Sequence, residues 1–208
     1  MILHKIQTVL LLWALTLPVV GGKPYYPVSD IPSELPKDAK AVIRMSEEIF
    51  EVRADHKAKH HFHYAITILN EDAIDLSSLT VFYDKFSRVS GIDGTIYDAN
   101  GKKVRNILNS YISDYSAISG FSIYEDNRVK YVEPKYRTVP FTIEYSYTVH
   151  YSGLLVYPSW IPHQGFDIAV ENSSFQVVLD PDQELRYYEQ NLPFTANIEE
   201  GSKENIYT

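Results

Sequence analysis

From Val139 to Tyr151 the chain alternates: Val139, Phe141, Ile143, Tyr145, Tyr147, Val149 and Tyr151 fall on one side, Thr142, Glu144, Ser146, Thr148 and His150 on the other. A period of two over this length predicts a strand with one face in a core and the other in water. The stretch HFHYAITIL at His61 to Leu69 reads the same way, with Phe62, Tyr64, Ile66 and Ile68 opposed to His61, His63, Ala65 and Thr67. Ala41 to Arg53 (AVIRMSEEIFEVR) predicts a further strand with an interruption around Ser46, and LTVFYDKF from Leu79 predicts another. In GTIYDANGKKVRN, a strand at Thr95 to Tyr97, turn residues Asp98, Asn100 and Gly101, and a return through Val104 predict a hairpin. SSFQVVLD and ELRYYEQ, separated by the turn DPDQ, predict two short strands, and NIEEGSKENIY predicts a hairpin around Gly201. Helical spacing occurs weakly and only in ILNSYISDYSAI. The sum is an all-β chain with minor helix, expected to fold as a β-sandwich of immunoglobulin-like, two-sheet architecture.

The N-terminus breaks this pattern. Lys5, an apolar run from Val9 to Val20 and the small pair Gly21 and Gly22 have the order of a secretory signal peptide, so residues 1–22 are expected to be cleaved and the protein exported to the periplasm or cell envelope. The run is shorter than the roughly 20 apolar residues of a spanning helix and contains Pro18, so no stable membrane anchor is expected. Pro24, Pro27, Pro32 and Pro36 then mark residues 23–38 as an extended, poorly packed lead-in, and 39–208 as the folded domain.

Composition narrows the chemistry. The 208 residues include no cysteine, which excludes disulfides, thiolate metal sites and cysteine nucleophiles. A net charge of −8, one unit more negative once Lys5 leaves with the signal, argues against a nucleic-acid partner. Seventeen tyrosines suit half-buried sheet faces, and also suit a sugar- or peptide-binding surface. No G-x-S-x-G elbow is present, SGFS at Ser119 to Ser122 lacks the strand-to-helix context, and Asn172 opens a short glycosylation-type tripeptide that is too common to weigh.

The candidate chemistry lies in KHHFHYAIT at Lys59 to Thr67. On a strand, His61 and His63 share a face about 7 Å apart, a spacing that lets two imidazoles reach one metal, while His60 points the other way. A third ligand, such as His150 or a carboxylate, would have to come from a neighbouring strand; without it the histidines are a solvated strand face. Glu47, Glu48, Asp72, Asp75, Asp93 and the YEDN turn at Tyr124 to Asn127 supply carboxylates that nothing in the sequence distinguishes from solvated turns. Tyr157 and Trp160, in LLVYPSWIPHQG after the long strand, read either as a rigid loop closing the sandwich end or as an aromatic contact surface.

GTIYDANGKKVRN, SDYSAISGFSIYEDNRVKYVEP and TIEYSYTVHYSGLLVYPSW, in this order, resemble the domain of unknown function that commonly stands N-terminal to a transglutaminase-like core in secreted bacterial proteins. The resemblance runs from about Ile31 to the C-terminus. It implies a β-sandwich whose associated cysteine, histidine and aspartate belong to a following domain that is absent here, so no catalytic residue and no cofactor is carried over. The expected function is that of an exported, non-enzymatic module that binds a protein, peptide or glycan or positions a transglutaminase-like partner, with Tyr157, Trp160, Tyr124 and Arg128 as contact residues. The alternatives are a metal-binding protein or metal-dependent hydrolase using His61 and His63, and a truncated remnant without a function of its own.

Overall fold

The computed structural model describes residues 26–54, 56–117, 126–154, 157–163 and 165–208; the expected signal peptide lies outside them. The long alternating stretch forms strand β8 (Phe141–Tyr151), antiparallel to β2 (Lys57–Ile68) on one side and to β4 (Ser87–Asp98) on the other. Beyond β2 lies β1 (Ala41–Ala54), and beyond β4 lies β5 (Lys103–Asn106), joined to it by the turn in which Gly101 takes a φ of 76°. The sheet continues past β1 through β10 (Ser173–Leu179), which runs parallel to it, then β12 (Asn205–Tyr207) and β11 (Ile198–Glu200); the short β9 (Ile168–Val170) pairs with the start of β1. A second sheet holds β3 (Leu79–Tyr83), β7 (Arg128–Val132) and β6 (Ile112–Ser116), in that order. Over the described residues the chain is thus all-β with two sheets, as its alternation predicts, and the sheets are unequal: nine strands against three.

One face of the large sheet is the core. Ile66 and Ile68 of β2, Phe141, Ile143 and Tyr145 of β8, and Ile96 of β4 are almost wholly buried, packed beneath Val132 of the small sheet. Opposite Tyr145 the sheet has Gly94, where a β-carbon would stand 2.7 Å from Ile107 and 3.0 Å from the Tyr145 ring. The absent side chain makes room for the buried ring, whose hydroxyl donates to the Ser77 carbonyl at 2.9 Å. Beyond the reach of the small sheet, the face is closed by connecting segments: the Tyr157 ring meets Phe50 at 5.4 Å, and Leu185 packs with Val177, Leu179 and Tyr207.

Three local expectations give way. ELRYYEQ forms no strand: Leu185 turns inward, its N–H donating to the Tyr207 hydroxyl, while Tyr187 and Tyr188 point outward. The weak helical spacing of ILNSYISDYSAI resolves into a 3-10 turn at Asn109–Tyr111 followed by β6, where Ile112–Ser116 pair with β7 and gain ladder hydrogen bonds on that side. The lead-in packs over part of its length. Val28 N–H donates to the Ala99 carbonyl at 2.9 Å, the Pro27 carbonyl accepts from Arg44 Nη1 at 3.0 Å, and the Tyr26 ring stands edge-on to Tyr97. Arg44 explains this. Its side chain is buried on the second face of the sheet, so its guanidinium must be satisfied, by Glu171 at 2.5 Å and by that carbonyl.

Because Ile143 lies where three central strands meet beneath the small sheet, Ile143→Ala leaves a cavity walled by buried side chains. We expect a loss of about 2–5 kcal/mol in urea unfolding, against well under 1 kcal/mol for the exposed Val104→Ala; equal losses would move the centre of the core elsewhere.

Candidate functional site

The second face of β2, β8 and β4 carries the outward residues in cross-strand rows. Ala65 of β2, Glu144 of β8 and Thr95 of β4 form one row, His63, Ser146 and Asp93 the next, and His61, Thr148 and Ser90 the next. Glu144 is the centre. His63 Nε2 lies 2.7 Å from Glu144 Oε1, the Tyr97 hydroxyl donates to Oε2 at 2.8 Å, and the Tyr26 phenol adds a further hydrogen bond. Glu47, across from His63 on β1, places a second carboxylate 3.7 Å from His63 Nδ1.

These contacts set the protonation states. The Glu144 hydrogen bond lifts His63 above its ordinary value of 6.5, outweighing burial and aided by both carboxylates' charge. For Glu144, burial alone would raise the pKa, but the bonds from His63, Tyr97 and Tyr26 hold it below 4.5. The Tyr26 and Tyr97 phenols are pushed up, by burial first and by the Glu144 carboxylate second, so they remain donors. The cluster is a carboxylate held by an imidazolium and two phenols. Ser146 stands across from His63, yet both ring nitrogens face carboxylates, which leaves neither to take a proton from its hydroxyl.

His61 and His63 do share one face, as the strand period predicts, and His60 turns to the core among the Phe50, Phe62 and Phe175 rings. His60 Nε2 is 2.9 Å from Glu48 Oε2 but lacks hydrogen-bond geometry. His61 and His63 have separate partners, Thr148 Oγ1 at 3.1 Å for His61 Nδ1 and Glu144 for His63. His150 lies one row beyond His61, its Nε2 2.8 Å from Ser90 Oγ. Among the described residues no group of three or more histidine or carboxylate side chains is arranged to hold a metal ion.

The other sequence candidates are dispersed. Trp160 is half-buried and donates from Nε1 to Ser173 Oγ at 3.1 Å, which makes it a structural prop of β10. Tyr157 is 43% exposed and, with Leu179, Leu185 and Arg186, lines a shallow depression of about 430 Å³. Arg128 opens β7 and clasps Asp114 and the Tyr83 hydroxyl, and Lys130 joins them; together they lower the Asp114 carboxyl to about 2. Tyr124 lies outside the described residues. Glu144, Tyr97 and Tyr26 escape sequence reading: each is visible on its segment, but only the register of β2 on β8 brings Glu144 beside His63.

Residues 54–208 match the model of DUF3857, described as a domain of unknown function with a solved structure. No curated protein matches. Among solved structures, the chain is similar to a "putative protease" from Parabacteroides distasonis at a TM-score of 0.65 and 14% identity, over 81% of this chain and 35% of that one. It therefore shares a fold with a protein of which it spans about a third. An M1 zinc metallopeptidase from Deinococcus radiodurans (TM-score 0.37, 12% identity, 88% of this chain and 41% of that one) and a CBM3a-L domain from a Clostridium thermocellum scaffoldin (0.31, 10%, 57% and 75%) resemble it too remotely to bear on fold.

The Glu144 cluster makes stability depend on pH with opposite signs at its two ends. A raised His63 contributes stability that is full below 6.5 and is lost as pH rises through the folded value. A lowered Glu144 contributes stability present above 4.5 and lost as pH falls through its folded value. The cluster should therefore stabilise most between those two values, and Glu144→Gln should flatten that maximum in urea midpoints measured across the acid and neutral range. A variant whose profile parallels the wild type would remove Glu144 from this role.

Proposed function

The chain belongs to the DUF3857 family, and from that premise we propose that it is a non-catalytic, exported β-sandwich module that positions a catalytic partner domain of the transglutaminase-like kind. The observation that carries this reading is the recurrence of its fold as about a third of a longer protein, one described as a "putative protease", whose remaining length lies outside the match. Export is supported by the order of Lys5, the apolar run and the glycine pair. Among the described residues no helix is long and apolar enough to cross a membrane.

The docking surface in this reading is the depression beside Tyr157. It sits where the small sheet no longer covers the core face, and exposed Tyr187 (49%) and Tyr188 (85%) follow its lining residues Leu185 and Arg186 in the chain. Large rings give contact area at little entropic cost, the property of contact residues in protein interfaces. Partner contact falls to Tyr157, Tyr187 and Tyr188, because Trp160 and Arg128 already spend their polar groups within the domain.

Titration of the protein with a separately expressed transglutaminase-like domain from the same organism, followed by calorimetry, tests this. A one-to-one complex is expected, weakened about tenfold or more (~1.4 kcal/mol) by Tyr157→Ala with Tyr188→Ala, while the Glu144→Gln variant binds as the wild type does. Absence of a complex, or hydrolytic activity in the isolated chain, would overturn the proposal.

A further inference from the structure

In one row of the second face His150 stands on β8 in the place that Glu144 holds in another. His150 of β8 stands directly across from Lys59 of β2 on one side and from Arg88 of β4 on the other. With strands about 4.8 Å apart, the two outer backbones are roughly 10 Å from each other, a span both long side chains can close over the imidazole between them. We propose that this row is a binding site for a dianionic phosphate or sulfate group.

Lys59 and Arg88 flank His150 in one cross-strand row, so a proton on the imidazole would put like charges directly opposite one another, which costs a sheet stability. The sequence around them does not relieve this. Among the described residues neither Lys59 nor Arg88 has an ion-pair partner, although the chain as a whole is acidic. Glu51, across from Lys59 on β1, is engaged by Arg53 at 2.5 Å and lies 3.8 Å from His61. The strain is visible at His150, whose pKa is lowered by burial and then by the charges of Arg88, Lys59 and His61. A dianion seated on the row would oppose those charge contributions and favour the protonated imidazole.

The donors fit such a group. Lys59 brings an ammonium, Arg88 a planar fork suited to paired oxygens, and Ser90 a hydroxyl next to His150. Both cations are exposed, so their heads are free to close. One row along, a bulge in β4 between Ser90 and Asp93 turns through Gly91, at a φ of 63° and with open space where a side chain would be. The bulge borders a shallow depression of about 350 Å³ beside His61, His63, Ser146 and Thr148, which gives room to whatever molecule carries the anionic group. This surface is on the opposite face of the sheet from the tyrosines assigned to the partner domain, so the two proposals stand or fall separately.

Histidine side-chain NMR on the intact protein tests the site, with inorganic phosphate or sulfate titrated against chloride at matched ionic strength. Saturable shifts are expected at His150 and His61, and the His150 pKa should rise when the dianion binds. Lys59→Gln with Arg88→Gln should weaken binding about tenfold or more, two charge-assisted hydrogen bonds being lost. Arg88→Lys, which keeps the charge, should retain most of it. Shifts reproduced by chloride, unchanged affinity in the double glutamine variant, or acetate bound as tightly as phosphate would each overturn the proposal.

Discussion

The structure depends on one constraint, the two-residue period of β8 between β2 and β4. Its inward residues meet Ile66, Ile68 and Ile96 and make the core; its outward residues are thereby fixed, one per row, against the outward residues of both neighbours. A slip of one position would bring Glu144 and His150 into the core and expose Phe141 and Ile143, so burial of the apolar side locks the chemistry of the other. Each outward residue then meets a different environment: Thr142 bonds Thr67, Glu144 bonds His63, Thr148 bonds His61 and His150 bonds Ser90.

Among the described residues that face is covered at one end and bare at the other, and the difference follows from which charges must be satisfied. Buried Arg44 and half-buried Glu144 both draw in the segment at Tyr26 and Pro27, the first through a carbonyl and the second through a phenol. Ala65, Thr67 and Thr142 are buried in consequence. Among the described residues no such segment arrives toward His150, and the basic side chains of Lys59 and Arg88 remain at the surface. The core face shows the complementary pattern, with the small sheet over its centre and the Tyr157 and Leu185 segments over its flank.

Much of this was legible in the residues. The alternation of β8 and β2, the opposed directions of His60 and His61, the Asp98 to Gly101 turn and the final hairpin around Gly201 each follow from local pattern. What local pattern omits is register. Nothing in either strand alone says that Glu144 rather than Ser146 lies against the His63 ring, or that Lys59 and Arg88 flank His150. The prolines of the lead-in spoke for loose chain, and Arg44, which needs an acceptor there, lies well downstream of Pro27. ELRYYEQ alternates well enough for a strand, yet Leu185 gains more by turning into the Phe50 and Tyr207 cluster than the segment gains by pairing.

The most direct test of the claim that β8 sets the chemistry of this face row by row is a pH titration of the individual histidine resonances in the anion-free protein. The expected result is that His63 titrates above 6.5, held protonated by Glu144, and His150 below 6.5, discharged by burial and by Arg88 and Lys59. Two histidines titrating together, or in the reverse order, would contradict it.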